Sequence, residues 1–203
     1  MKRLLFPLVA IVALAAAAFM PYAPLTPGQP MPKADVKMKD ISGKEVSLND
    51  LKGPNGLLVM FSCNTCPYVI KNQERTHEIL TYARQKQVGV VVLNSNEAQR
   101  SGEDSYEAMK GYAKEQKYDW VYAVDKNHEI ADAFGATRTP EVFLFDAKGM
   151  LVYTGAIDNS PSDAKSVSRK HLHEAINEMT AGNEVSVKTS KSVGCGIKRL
   201  AKP

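Results

Sequence analysis

A short apolar run, Leu57-Leu58-Val59-Met60-Phe61, passes almost directly into Cys63-Asn64-Thr65-Cys66, and Pro67 then opens a long amphipathic stretch. No other feature constrains the fold as much. A short unbroken apolar run bounded by turn residues reads as a strand buried on both faces. The two thiols therefore stand at a strand-to-helix junction. Spacing by two residues on a helix's first turn brings the sulfurs close enough to bond. The unpaired N–H groups and positive end of the helix favour a thiolate there. A free thiol titrates at a pKa of about 8.5, and lowering that by ~1.5 units leaves it about half ionised at pH 7, at about 2 kcal/mol of differential stabilisation.

A CxxC has three ordinary readings: a redox pair, half of a metal site, or a structural disulfide. The last is a weak staple, because a two-residue loop gains little closure entropy. A third cysteine, Cys195, makes the count odd and leaves one thiol to explain. It is either an inert tail thiol or a third redox partner. Four histidines are available for metal binding. His171 and His173 would point about 200° apart on a helix, so they cannot share an ion. His77 and His128 stand alone. The residues ask for no metal and no organic cofactor, since the sulfurs can carry the electrons.

The 203 residues suffice for one domain with a real core. The net charge of +4 is mixed along the chain, with no basic stripe interleaved with aromatics, so a nucleic acid partner has no support. Lys2-Arg3, the Ala-rich apolar run Leu4 to Met20 and Ala16-Ala17-Ala18 fit a bacterial signal peptide over residues 1–20. The alternative is an uncleaved N-terminal anchor, the chain's only contact with a membrane. Residues 21–34 carry Pro21, Pro24, Pro27, Pro30 and Pro32, a composition expected to form a stiff tether that does not pack. Either way the domain is expected to be exported to the periplasm or cell envelope, an oxidising compartment.

Residues 35–182 form the expected domain and 183–203 a polar tail. The pattern predicts an edge strand at Asp35 to Lys39, a turn and short second strand to Val46, and a capped helical turn at Ser47 to Leu51. After the 57–61 strand come a helix from Pro67 to about Gln87 and a buried strand at Val88 to Leu93. A helix at Asp104 to Lys117, whose mixed charges read as a solvated face, and a short strand at Trp120 to Val124 follow. A helix at Asn127 to Phe134 ends at Gly135. A hairpin pairs Glu141 to Phe145 with Met150 to Thr154, and a closing helix runs from Ser162 to Met179. Strands alternating with helices predict an α/β sheet finished by an antiparallel hairpin.

Arg138-Thr139-Pro140 stands directly before the hairpin strand. A proline there cannot donate to the ladder and marks a break or a cis bond. Together with the CxxC, this resembles the thioredoxin fold: a central mixed β-sheet flanked by helices, with a cis-proline beside the active disulfide. The long interval between Cys66 and Pro140 adds a strand-helix unit, Val88 to Lys117, as in the enlarged redoxins: peroxiredoxins, TlpA-like reductases and a peroxiredoxin-like thioredoxin family. Phe61-Ser62-Cys63-Asn64-Thr65-Cys66-Pro67-Tyr68-Val69, Asn94-Ser95-Asn96, Ala156-Ile157-Asp158-Asn159 and Gly194-Cys195-Gly196-Ile197-Lys198 are similar to that last family.

The resemblance implies that Cys63 is the exposed attacking thiol and Cys66 the more buried resolving thiol. Pro140 would be the cis-proline, and Thr139 would present its backbone to an extended substrate by brief β-augmentation. Arg138 would offer a positive charge near the thiols, and Cys195 is a further auxiliary candidate. The implied activity is thiol–disulfide exchange, with disulfide substrates and a thiol electron donor as partners. Thiol peroxidase is the variant within this class, and a copper or zinc carrier using the CxxC is the reading outside it. Three departures stand out. Leu57 holds the position of thioredoxin's buried carboxylate, Ser62 replaces tryptophan before the first cysteine, and Cys63 occupies the threonine position of the peroxidatic signature.

Overall fold

A computed structural model describes residues 23–201, so the expected signal segment, 1–20, lies outside the described residues. The central sheet has five strands: β3 (Leu57–Ser62), β4 (Gly89–Asn94), β5 (Val121–Val124), β7 (Glu141–Phe145) and β8 (Leu151–Gly155). Their order is β5-β4-β3-β7-β8; β3, β4 and β5 run parallel, and β7 and β8 close one edge antiparallel. A small antiparallel hairpin, β1 (Met38–Lys39) with β2 (Glu45–Val46), precedes the sheet, and β1 is shorter than the edge strand expected at Asp35 to Lys39.

Alternation along the strands explains why their sequences are apolar throughout. Leu58, Met60, Val90, Val92, Val142 and Leu144 face one side, where helices α3 (Gln73–Gln85), α4 (Tyr106–Glu115) and α6 (His171–Thr180) pack through Leu80, Met109 and Ile176. Leu57, Val59, Phe61, Val91, Leu93, Phe143 and Phe145 face the other, against α1 (Leu48–Leu51) and α5 (Glu129–Phe134). Both faces are covered, so the central strands are apolar at both register positions until Ser62 and Asn94 at their C-terminal ends. Phe61, Phe134 and Phe143 meet edge to face with centroids 5.1–5.6 Å apart, which fixes α5 against the sheet beneath the thiols.

Four expected helices are shorter than their patterns; α4 is trimmed by two residues at each end, and the other three have a specific cause. The first breaks into α2 (Pro67–Lys71) and α3 at Asn72, whose Nδ2 donates to the Tyr68 carbonyl at 2.7 Å and the Pro161 carbonyl at 2.8 Å. A side chain inserted into the ladder is a recognised cause of a kink. The closing helix begins at His171 rather than Ser162, because Asn159 Oδ1 accepts the N–H groups of Ser168 and Arg169 and holds that stretch in a loop. Asn127 and His128 adopt positive φ, which delays α5 to Glu129.

The described part of the proline-rich segment is not a free tether. Leu25 and Met31 pack on the α5 side of the core, and Leu25, Gly28 and Met31 donate backbone hydrogen bonds to Phe134, Leu151 and Gly149. Prolines stiffen the segment without removing the N–H groups that dock it. Among the described residues no helix is long and apolar enough to cross a membrane.

Candidate functional site

β3 carries the chain to Ser62, and Cys63 follows at the C-terminal end of the parallel strands. Cys66 is the N-cap of α2, with Pro67 in its first turn, where the missing N–H of proline costs nothing. The second wall forms after Gly135, whose left-handed φ of 63° ends α5. A two-residue strand, β6 (Arg138–Thr139), then meets Pro140 through a cis peptide bond before β7 begins. Phe61 lies opposite Glu141 in the ladder, so this loop is brought beside the cysteines. Cys63 Sγ is 3.4 Å from Thr139 Oγ1, and Cys66 Sγ is 3.2 Å from the Thr139 carbonyl oxygen.

The tail is the third wall. A final strand, β9 (Cys195–Gly196), pairs antiparallel with β6, placing Cys195 opposite Thr139 and Gly196 opposite Arg138. Cys195 is joined to Cys66 by a disulfide with Cα atoms 6.0 Å apart, a normal separation for such a bond. Cys63 is the free thiol. Gly194 passes so close that a Cβ there would stand 2.1 Å from the Thr139 carbonyl oxygen, so only glycine fits.

Behind the CxxC lies a buried polar network. The Asn64 N–H donates to Asp104 Oδ1 at 2.9 Å, and Asn64 Oδ1 accepts from the Tyr122 hydroxyl at 2.8 Å. Asn94 Nδ2 also donates to Asp104 Oδ1 (2.7 Å), and Asn96 Nδ2 to Asp104 Oδ2 (2.8 Å). Arg100 donates to the carbonyls of Asn94 and Asp104. Asp104 is fully buried, and these donors compensate its removal from water. The network fixes the backbone between the two cysteines.

Burial pushes the Cys63 thiol above its ordinary pKa; the Thr139 hydroxyl and the backbone N–H groups of Cys66 and Thr65 pull it down, while the Asp104 carboxylate adds to the rise. The result opposes the lowered pKa that a helix N-terminus alone would give. Exposure accounts for it: Cys63 and Cys66 are each 3% exposed, beneath a lid made by Thr139 and the tail.

The fold brings Cys63, Cys66, Thr139, Pro140 and Cys195 together, with corrections to their expected surroundings. Cys63 is as buried as Cys66, not the exposed one of the pair. Thr139 does not face open solvent, because the tail strand occupies its edge. Arg138 is exposed and donates to the Gly194 carbonyl at 3.2 Å, so its nearest described task is holding the tail. Asp104 escapes sequence reasoning as a site residue; its one signal is a carboxylate following Asn94-Ser95-Asn96 at short range.

The sequence model of the redoxin family matches residues 26–169, most of the described chain, and stops short of the tail cysteine. The chain is 31% identical to a hypothetical protein from Sinorhizobium meliloti 1021, whose crystal structure superposes with a TM-score of 0.80 over 89% of this chain and 98% of that one. An uncharacterized conserved protein from Geobacillus kaustophilus gives 32% identity and a TM-score of 0.81 over 87% of this chain and 94% of that one. The thiol-disulfide oxidoreductase ResA of Bacillus thuringiensis subsp. konkukian (strain 97-27) is 26% identical over 113 residues, which is 56% of this chain and 61% of ResA. The match thus spans about three fifths of that curated relative's length. A mixed five-stranded sheet, a CxxC ahead of α2 and a cis-proline across from it agree with what the family match states: this chain belongs to the redoxin family.

Proposed function

We propose that this chain is a thiol–disulfide oxidoreductase working through Cys63 and Cys66. The observation that carries the reading is the gathering of one thiol, Cys63, and one disulfide sulfur, Cys66, against the Thr139-Pro140 turn. Its likeness to ResA supports the same class of reaction.

In the fully reduced chain, the Cys63 thiolate attacks a substrate disulfide and releases one substrate thiolate. Cys66 then attacks the mixed disulfide at Cys63, releases the second substrate thiolate, and closes a Cys63–Cys66 bond. Thr139 steers this exchange in two ways. Its hydroxyl stabilises the Cys63 thiolate, and its backbone edge receives an extended substrate segment once free. The substrates are protein or small-molecule disulfides, and an external thiol donor restores the dithiol. The working place is the cell envelope, supported by Lys2-Arg3 and the apolar run after it.

Two variants test the assignment. Cys63→Ser abolishes turnover of a model disulfide, whereas Cys66→Ser accumulates a mixed disulfide at Cys63, visible as a mass adduct lost on reduction. Equal residual turnover in both variants overturns it.

A further inference from the structure

We propose that Cys195 is a third exchange residue: it takes the oxidised equivalent from the Cys63–Cys66 bond, and the tail strand then closes the substrate edge at Thr139. This inference rests on the exchange reading given above and extends it to a part of the chain beyond the family match.

Two independent observations carry it. The first is chemical. The bridge runs between Cys66 and Cys195, while Cys63, three residues away, is the free thiol. A CxxC that served only as a dithiol would pair with itself. The second is the way the tail is built. β9 is not a loose end that happens to reach a sulfur; it is a strand laid on β6 in the place that an extended peptide would take. The Arg138 guanidinium donates to the Gly194 carbonyl (3.2 Å), Ile197 N–H to the Thr137 carbonyl (3.0 Å), and Ala98 N–H to the Lys198 carbonyl (2.9 Å). Lys198 N–H donates to Asn96 Oδ1 at 2.8 Å, and Asn96 in turn donates to Asp104, the carboxylate that holds the Asn64 N–H. The tail therefore engages both the cis-proline loop and the network behind the CxxC. Gly194 and its approach to Thr139 leave no space for a second strand on that edge.

The step balances without an outside oxidant. The Cys195 thiolate attacks Cys66 Sγ, the Cys63–Cys66 bond breaks, the Cys66–Cys195 bond forms, and Cys63 leaves as a thiolate that takes up a proton. The structure is the product of that step. In it Cys63 is only 3% exposed and the tail strand occupies the Thr139 edge, so a second extended substrate has no place to dock. An external thiol must first open Cys66–Cys195.

The test uses the fully reduced full chain and oxidised glutathione as the probe disulfide. Samples are quenched in acid at intervals, free thiols are alkylated, and the bridges are mapped by mass spectrometry. Released glutathione is assayed in parallel. The wild type is expected to show Cys63–Cys66 first and Cys66–Cys195 later, with the label moving from Cys195 to Cys63. Cys195→Ser is expected to release glutathione and stop at Cys63–Cys66. Normal release with Cys195 labelled at every time overturns the relay alone. Cys66–Cys195 forming as fast in Cys63→Ser as in the wild type also overturns it, since the bridge is then a static staple. No release above the protein-free control overturns the exchange reading and the relay with it. Amide hydrogen exchange reads the closure separately: residues 195–197 are expected to exchange at least about tenfold faster in Cys195→Ser than in the Cys66–Cys195 state. Equal protection in both overturns the closure.

Discussion

Thr139 touches both halves of the CxxC: its hydroxyl oxygen lies 3.4 Å from the Cys63 sulfur and its carbonyl oxygen 3.2 Å from the Cys66 sulfur. With Cys66 bonded to Cys195, the second is a contact without a proton, so the hydroxyl is the part that tunes chemistry. Thr139→Val keeps the shape and removes the hydroxyl. The Cys63 thiolate loses a stabilising partner, and maleimide labelling of the oxidised chain at a fixed pH is expected to slow about three- to tenfold, the effect of ~0.5–1 pKa unit.

The raised pKa of Cys63 has a consequence for stability. In the unfolded chain the thiol ionises near its ordinary value of about 8.5, whereas burial raises it in the fold. The contribution is therefore complete below that value and is lost as pH rises towards the higher, folded one. Urea midpoints of the oxidised wild type are expected to fall from about pH 9 upward, and those of Cys63→Ser to stay flat until about pH 10, where tyrosines ionise in the unfolded chain while burial holds Tyr122 and Tyr153 protonated in the fold. A wild-type midpoint that does not move between those limits contradicts the direction.

Asp104 separates structural from electrostatic effects. Asp104→Asn turns one of its accepting oxygens into a donor facing the donors of Asn64, Asn94 and Asn96. A loss of about 2–3 kcal/mol in unfolding free energy is expected. The same change removes a negative charge that disfavours the Cys63 thiolate, so labelling of Cys63 is expected to shift to lower pH. A merely structural role would lower stability and leave the labelling profile in place.

Cys195→Ser removes a cross-link spanning 129 positions. Loop-closure entropy gives such a bond about 5 kcal/mol at most, and native bridges commonly contribute 2–4 kcal/mol. Under oxidising conditions the variant is expected to unfold at lower denaturant by an amount in that range. With excess reductant, the difference from wild type is expected to shrink to the cost of one half-buried hydroxyl.

What the sequence discloses here follows physical range. The central strands are legible because burial on both faces makes Leu57 to Phe61 and Val142 to Phe145 unbroken apolar runs. Pro140 is legible because a residue without an N–H cannot sit inside a ladder. The break at Asn72 is not, because its second partner is the carbonyl of Pro161, 89 positions away. Asp104 reads as the start of a charged, solvated helix, and only the fold shows it sealed among asparagines from the loop after β3, the end of β4 and the loop after it. The tail strand is two residues long, and its polar sequence has no period. It is held by backbone hydrogen bonds, by the side chains of Arg138 and Asn96, by a sulfur and by one apolar residue, Ile197, and a single apolar residue makes no hydrophobic pattern to read. The docked residues 23–31 are hidden for a related reason, since proline content describes stiffness and not where the intervening N–H groups land.

The bridge from Cys66 to Cys195 also closes a circle of chain within the domain that holds α2 through α6. A protease that cuts anywhere inside this circle leaves the two pieces tied together. With the bond instead between Cys63 and Cys66, as in the earlier state of the proposed relay, the circle contracts to four residues, and the same cut sets the pieces apart. Whether a nicked chain travels as one body or two on a non-reducing gel thus reports which pair of sulfurs is joined.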